Sequence, residues 1–216
     1  MVIIPLEKKL RKKIHRQIAL AQDILINEVY RVFPKAILHG GTAIWRCFGS
    51  NRFSEDLDFY LPSFPKEKIS QLLKNLEKIG FFNLKFRQIK NAIFSQFEYL
   101  GTIIRFEALA KKIQNYKTAS FEMIDGSFIA VNILPLKDLL EEKINSYLAR
   151  QKIRDLYDIF FLLKFAKKDN QIKKLLKNFL KKFSEPKDEK ELKTLIISGA
   201  VPKKEDMIEE IKKWVK

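Results

Sequence analysis

The sequence has little cysteine and glycine and no long apolar run. Its 216 residues include one cysteine and seven glycines. A single thiol, Cys47, excludes an internal disulfide, and its neighbours Trp45 and Phe48 indicate a buried thiol rather than a reactive one. No stretch of about 18 apolar residues predicts a membrane-spanning helix. Residues 1–13 also lack the apolar segment of a signal peptide, so we expect a cytoplasmic protein without membrane association.

Acidic residues are scarce relative to basic ones. There are 42 Lys and Arg against 26 Asp and Glu, which gives a net charge of +16. The 46% hydrophobic content is enough for a sizeable core and argues against a disordered chain. A charge this large indicates a polyanionic partner such as nucleic acid, nucleotide phosphates or an acidic protein. The basic stretch from Lys8 to Arg16 fits such a partner, but it equally fits a solvated helix face.

Apolar periodicity predicts how the chain is organised. It predicts helices over 6–33, 40–48 and 66–79 and strands over 36–39 and 56–61. Apolar runs at 94–100, 102–108, 121–124 and 128–134 predict an antiparallel meander, with turns at Gly101 and at Asp125-Gly126. Beyond residue 135 the sequence predicts only helices, over 136–150, 154–166, 171–183, 187–197 and 204–215. We therefore expect an α/β domain over residues 1–134 and a helical domain over 135–216.

Two carboxylates follow a glycine turn at a spacing that suggests a catalytic site. Side chains alternate along a strand, so Asp56 and Asp58 point to the same face. Two such carboxylates repel each other unless a cation compensates, and Mg²⁺ held by carboxylates and substrate phosphates is the usual solution. Gly40 and Gly41, at the start of a helix, would let backbone N–H groups approach a phosphate, and Thr42 adds a hydroxyl. The alternative is a pair of solvent-exposed carboxylates at a strand edge.

These segments resemble one branch of the polymerase-β-like nucleotidyltransferase superfamily, the AbiEii/AbiGii toxins of type IV toxin–antitoxin systems. The matching residues are the Gly-Gly-Thr-Ala turn at 40–43 and the Arg-x-Ser-x-Asp-Leu-Asp-Phe block at 52–59. A second block at 134–143, with Arg150 and the Arg-Asp-x-x-Asp run at 154–158, extends the resemblance to roughly residues 36–163. The resemblance implies an α+β fold, a mixed sheet with flanking helices followed by a C-terminal helical region.

The resemblance also implies a third metal-binding carboxylate. Glu107 is the first choice, ahead of Glu98 and Glu122. With Asp56 and Asp58 it would hold two Mg²⁺ ions, and it could take the proton of the acceptor hydroxyl. The alternative for Glu107 is a cross-strand ion pair with a Lys or Arg.

A larger set of residues is implied in nucleotide binding. Lys143, Tyr147, Arg150, Arg154 and Asp158 would share one stripe if a single helix continued through them, although a break near Gln151 is compatible with the family. Asp158 would then hold Lys143 or Arg154, or act near the metals. A solvated, charge-rich helix face is the alternative. The residues expected to contact the nucleotide are Gly40, Gly41, Thr42, Arg46, Ser54, Lys143 and Arg154.

The implied activity is transfer of a nucleoside monophosphate from an NTP to an acceptor hydroxyl. The family further implies a tRNA 3′ end as the acceptor and an antitoxin as a partner. Two alternatives stay open at this point. One is a nucleotidyltransferase with a small-molecule acceptor, which has less use for a +16 charge. The other is a catalytically degenerate module that binds RNA or a protein partner.

Overall fold

The computed structural model describes residues 4–216, which form two compact units. The first unit contains the residues up to Gly49 together with Ser54–Leu134. The second contains Pro135–Lys216 and also the short segment Ser50–Phe53. The Arg-x-Ser-x-Asp-Leu-Asp-Phe block is therefore divided, with Arg52 in the second unit and both aspartates in the first.

The first unit holds all the strands of the described part of the chain. The strands are β1 (Ile37–His39), β2 (Leu57–Leu61), β3 (Phe82–Ile89), β4 (Ala92–Tyr99), β5 (Thr102–Ala110), β6 (Lys117–Glu122) and β7 (Phe128–Ile133). Its helices are α1 (Leu6–Lys9), α2 (Lys13–Val32), α3 (Gly40–Phe48) and α4 (Lys66–Ile79). The helices of the second unit are α5 (Leu136–Arg150), α6 (Ile153–Leu162), α7 (Asn170–Lys182), α8 (Leu192–Leu195) and α9 (Lys204–Val215).

The strands form one mixed sheet in the order β3-β4-β5-β2-β1-β7-β6. The pairs β2–β5 and β1–β7 are parallel, and the other neighbours are antiparallel. Alternate side chains such as Leu38, Phe59 and Phe106 point to one face and are buried with apolar residues of α2, α3 and α4. The residues between them, including Asp58 and Glu107, therefore point to the opposite face of the sheet.

Local sequence signals in the first unit are confirmed where they are strong. The helices at 40–48 and 66–79 begin and end as expected. Leu100 and Gly101 both have positive φ, at 49° and 75°, which is the geometry of a tight hairpin turn between β4 and β5. Gly126, with φ of 88°, turns the chain between β6 and β7.

Other expectations for this unit are wrong. The helix expected over 6–33 is interrupted, because Leu10 adopts an extended backbone and is buried. The meander contains only β3, β4 and β5, whereas β6 pairs with β7 at the opposite edge of the sheet. Strand β3 was not expected because nearly all its side chains are exposed, so no apolar alternation marks it. Phe82, the first residue of this strand, is 66% exposed.

The second unit is helical, and its core contains Tyr147, Phe179 and Phe183 in mutual ring contact. The helices expected over 136–150 and 204–215 are confirmed. Gln151 has φ of 53° and ends α5, so the continuous helix through residues 143–158 does not form. The helix expected over 187–197 is reduced to a 3-10 turn at Glu189–Glu191 and the short α8. Within residues 4–216, none of the helices combines the length and apolarity that crossing a bilayer needs.

Candidate active site

Asp58 and Glu107 are direct neighbours across the parallel pair β2–β5. Neighbouring strands lie about 4.8 Å apart, so the two carboxylates begin from adjacent positions on the same face. On the other side of Asp58, the antiparallel register places His39, the last residue of β1. His39 is stacked on Tyr60, with ring centroids 3.9 Å apart. Sequence alternation predicts which side chains of a strand point to the same face. The register between β2 and β5 then places the two carboxylates next to each other.

The glycine turn lies directly against Asp58. Gly40 has φ of +73°, and a Cβ atom added there would lie 2.3 Å from Asp58 Oδ2. Glycine is therefore required twice, for the left-handed backbone and for the close approach. Because α3 begins at Gly40, the N–H groups of its first turn, which have no acceptor within a regular helix, start beside the carboxylate. This arrangement can place an anionic phosphate next to Asp58 once a cation neutralises the carboxylate.

Asp56 is held by its backbone and faces Arg105 with its side chain. The Thr42 hydroxyl donates a hydrogen bond to the carbonyl oxygen of Asp56, and Thr42 is fully buried. This corrects the expectation that Thr42 offers its hydroxyl to a phosphate, since its role is to position the start of β2. Arg105 Nε lies 2.8 Å from Asp56 Oδ1, and Arg105 also approaches Glu55 at 3.7 Å.

The carboxylates fit a magnesium site that is completed by substrate. Asp56 Oδ1 is buried and, despite its ion pair with Arg105, lacks a hydrogen bond within the described residues. Among residues 4–216, no three Asp, Glu, His or Cys side chains converge closely enough to hold a metal by themselves. Mg²⁺ does not need such a cage, because it keeps several waters and is usually bound by one or two carboxylates and substrate phosphates. Asp56 Oδ1, whose pairing with the half-exposed Arg105 can be exchanged for a cation, and the carboxylate of Asp58 suit that mode of binding.

Glu107 is electrostatically linked to both aspartates. Burial, followed by repulsion from Asp58 and Asp56, raises the pKa of Glu107 above its usual value, and Arg105 and His39 oppose the shift. A raised pKa means that the ionised form of Glu107 is destabilised without a nearby cation. This carboxylate therefore has the environment expected of a group that binds a cation or exchanges a proton.

Arg46 does not face the site. Its guanidinium is paired with Asp23 and donates to the carbonyl oxygen of Glu122. It also lies over the rings of Trp45 and Phe121, and its side chain is completely buried. The expectation that Arg46 contacts the nucleotide is therefore corrected, because it fastens α3 to α2 and β6 in the interior of the first unit.

Lys143 and Asp158 belong to a buried ionic cluster in the second unit. Arg52 donates two hydrogen bonds of 2.8 Å to the Asp158 carboxylate, one to each oxygen. Lys143 Nζ lies 2.8 Å from Asp158 Oδ2 and 3.7 Å from Asp155 Oδ1. Burial opposes ionisation of Asp158, but Arg52 and Lys143 outweigh it and hold its pKa below the usual value. Of the roles considered for Asp158, the structure shows that of holding Lys143.

Arg154 lies outside this cluster. Asp155 instead pairs with Arg150, whose Nε and NH2 groups donate hydrogen bonds of 2.7 Å to the two carboxylate oxygens. The expected stripe of side chains from Lys143 to Asp158 does not form, because the helix breaks at Gln151. As a result α5 and α6 pack against each other instead of forming one helix. Ser54 is buried in the first unit, and its carbonyl oxygen accepts a hydrogen bond from Gln22. Nucleotide contacts by Ser54, Lys143 and Arg154 stay predictions.

Sequence reasoning missed one ionic contact in each unit. The first is the ion pair between Arg105 and Asp56, although Arg105 shares a strand face with Glu107. The second is the pairing of Arg52 with Asp158, which lies 106 residues away along the chain. For Arg52, the signal was its place in the Arg-x-Ser-x-Asp-Leu-Asp-Phe block with the aspartates, but nothing in the sequence indicates its partner.

Solved structures of other proteins share the fold of this chain. The chain is similar in structure to MenT4, a nucleotidyltransferase toxin from Mycobacterium tuberculosis H37Rv, with a TM-score of 0.64, 15% identity and coverage of 94% of this chain and 82% of that one. It is also similar to JHP933 from Helicobacter pylori, with a TM-score of 0.55, 19% identity and coverage of 91% and 88%. At these identities the likeness concerns the fold. No curated protein sequence matches the chain.

The sequence pattern of one protein family covers most of the chain. It is the AbiEii nucleotidyl transferase toxin family of type IV toxin–antitoxin systems, and it matches residues 27–213. The match includes the glycine turn, both aspartates, Glu107 and the ionic cluster of the second unit. The chain therefore belongs to the AbiEii family of nucleotidyl transferase toxins.

Proposed function

We propose that this protein is a Mg²⁺-dependent nucleotidyltransferase that transfers a nucleoside monophosphate from an NTP to the terminal hydroxyl of an RNA, such as a tRNA 3′ end. The observation that carries the proposal is the pairing of Asp58 with Glu107, with the Gly40 turn packed against Asp58. This arrangement offers carboxylates for a metal beside backbone N–H groups for a phosphate. Both are needed to bind the triphosphate end of an NTP.

The reaction can be assigned to the residues of the first unit. Bound at Asp56, Asp58 and Glu107, two Mg²⁺ ions would neutralise the carboxylates, favour ionisation of the acceptor hydroxyl and stabilise the leaving pyrophosphate. The acceptor oxygen forms a bond to the α-phosphorus as the bond from that phosphorus to the bridging oxygen breaks, and pyrophosphate leaves. We assign the proton of the hydroxyl to Glu107, because this carboxylate lies beside Asp58 on the same face of the sheet.

The glycine turn binds the rest of the triphosphate in this proposal. The N–H groups of Gly40 and Gly41 lie in the first turn of α3, where anions are stabilised by unpaired donors and by the helix dipole. Thr42 contributes indirectly by holding the backbone of Asp56. An RNA acceptor is supported by the net charge of +16, since a polyanion gains most from a basic surface. Membership in a toxin family supports an antitoxin as the partner.

The test is an acceptor panel. The purified protein is incubated with Mg²⁺, each of the four NTPs labelled at the α-phosphorus, and either total tRNA or a panel of small molecules with free hydroxyls. We expect label on RNA, and no label after Mg²⁺ is removed by chelation. Label on small molecules alone would replace the RNA acceptor with a small one. RNA binding without any label transfer would indicate a degenerate module instead.

Asp56→Ala tests the site itself. Asp56 is partly exposed, so its replacement should leave the fold intact while it removes a metal ligand. We expect transfer to fall below detection. Undiminished transfer by Asp56→Ala would show that the chemistry occurs elsewhere.

A further inference from the structure

The sheet continues beyond Glu107 as an exposed basic surface that the proposed reaction does not use. The register aligns Arg87 on β3, Phe94 on β4 and Glu107 on β5 in one row. That row continues through Asp58 on β2. At about 4.8 Å for each strand, Phe94 lies about 5 Å and Arg87 about 10 Å from Glu107. The surface therefore leads directly to the proposed catalytic carboxylates.

A second row carries two more cations. Lys85, Gln96 and Arg105 are aligned across the same three strands. Lys85, Arg87, Phe94 and Arg105, which we call the acceptor face, line a groove of about 390 Å³ that Glu107 also borders. The groove is shallow and open, so an extended ligand can lie along it and is not restricted to a small enclosed pocket.

The cations of the acceptor face are available to a ligand. Lys85 and Arg87 are exposed, and within residues 4–216 neither of them forms an ion pair. Arg105 is half-exposed and its partner Asp56 is partly exposed, so this ion pair can be exchanged for one with a phosphate group. Three positive charges next to the site thus remain open to phosphate groups.

Phe94 gives the acceptor face an aromatic platform. Phe94 is 39% exposed, although it lies on β4, the middle strand of the β3-β4-β5 meander, and not at a strand end. Aromatic side chains flanked by cations are the usual means of binding single-stranded nucleic acid, because the ring stacks on a base and the cations contact the backbone. An acidic peptide would use the cations but would gain nothing from the ring.

We propose that the acceptor face binds the single-stranded 3′-terminal nucleotides of the RNA acceptor and directs the terminal hydroxyl towards Glu107. This inference rests on the proposed function for the direction in which the RNA strand runs, with its 3′ end towards Glu107. Phe94 stacks on a base near the 3′ end, and Arg87 and Lys85 bind phosphates further from it. Arg105, which is half-exposed, would exchange its pairing with Asp56 for a phosphate of the RNA.

A binding titration tests the ring without depending on catalysis. The probe is a fluorescein-labelled single-stranded RNA of about eight nucleotides, within the usual length of such sites. We expect Phe94→Ala to weaken binding by about 5- to 150-fold, the loss typical of one base–aromatic stack. Phe128→Ala is the matched control, because Phe128 is 51% exposed on β7 in the same sheet, and we expect its effect to stay within about twofold.

The cations are tested by salt dependence. The double variant Lys85→Ala/Arg87→Ala should reduce the slope of log affinity against log salt by about 1.4, since each phosphate contact to a single strand contributes about 0.7. The control Lys174→Ala/Lys177→Ala removes the same charge from the exposed side of α7. Equal losses in both double variants would show general attraction to a basic protein and would overturn the proposal. Displacement of the RNA by an acidic peptide of matched charge as readily as by unlabelled RNA would also overturn it.

Label transfer separates this inference from the proposed function. If the wild type labels RNA, the acceptor-face variants should raise KM for RNA and leave NTP affinity unchanged. Wild-type labelling together with unchanged RNA affinity in Phe94→Ala and the double variant would reject the acceptor face and leave nucleotidyl transfer standing. If the wild type labels no RNA, the proposed acceptor is wrong, and the titration alone decides whether this face binds RNA.

Discussion

Replacing Gly40 with alanine should disable the active site at a small cost in stability. Gly40 has φ of +73°, and a left-handed backbone costs an L-residue roughly 1–2 kcal/mol. The added Cβ would also lie 2.3 Å from Asp58 Oδ2 and 3.1 Å from its Cγ. The carboxylate would have to move by about 1 Å, and a misplacement of that size costs about 100-fold in rate.

Gly49 provides the matched control. It ends the same helix with φ of +69°, but a Cβ atom there meets nothing within 4 Å. Gly49→Ala should therefore lose the same roughly 1–2 kcal/mol of unfolding free energy and keep its activity. Urea unfolding gives the stability of both variants, and transfer of label from an α-labelled NTP to RNA gives the rate. Equal rates in the two variants would refute a site built around the contact between Gly40 and Asp58.

The remaining predictions concern the ionic cluster, the base and the thiol. Asp158→Asn should lower the free energy of unfolding by about 3–5 kcal/mol, because it leaves Arg52 and Lys143 buried without their counter-charge. Since Arg52 and Lys143 hold the pKa of Asp158 below its usual value, its stabilisation is present above about pH 4 and is lost as pH falls further. The free energy of unfolding, measured by urea titration, should vary less with pH between about pH 2 and 6 for Asp158→Asn than for the wild type. Glu107→Gln should reduce label transfer by about 10²- to 10⁴-fold without lowering the unfolding midpoint; a smaller loss would exclude it as the base. Burial raises the pKa of Cys47 to about 12, so iodoacetamide at pH 8 should modify it only after unfolding, as mass spectrometry can show.

Local patterns in the sequence were sufficient for the elements that form the site. Alternation separated Asp58 from the core residues Leu57 and Phe59, and the glycine pair marked the start of α3, whereas Asp56 precedes β2. These features depend on neighbours within a few residues. The sequence could not reveal that β2 and β5 pair in parallel with Asp58 beside Glu107, because that register depends on a connection of about forty residues.

Arg46 and Arg52 show where sequence reasoning ends. Arg46 was predicted to contact the nucleotide, and Arg52 was known only as the first residue of the matching block. Their partners, Asp23 for one and Asp158 for the other, are remote in sequence and become neighbours only after folding. A buried arginine and a phosphate-binding arginine have the same local sequence signature, so the distinction requires tertiary contacts.

The exposed strand β3 was missed for a related reason. Periodicity detects strands through one buried face, and β3 has almost none. Lys85 and Arg87 were therefore not assigned to a strand, although the register places them two strands from Arg105 and Glu107 on the same face of the sheet. The surface that we assign to the RNA acceptor is thus the part that the sequence alone indicated least.

The most direct test of the central claim is a single comparison of label transfer to RNA by the wild type and by Asp58→Asn, each folded and each supplied with Mg²⁺ and α-labelled NTPs. The account predicts label on the RNA 3′ end with the wild type, and none with Asp58→Asn or after chelation of Mg²⁺. Equal labelling by both proteins, or labelling that persists without a divalent cation, would contradict it.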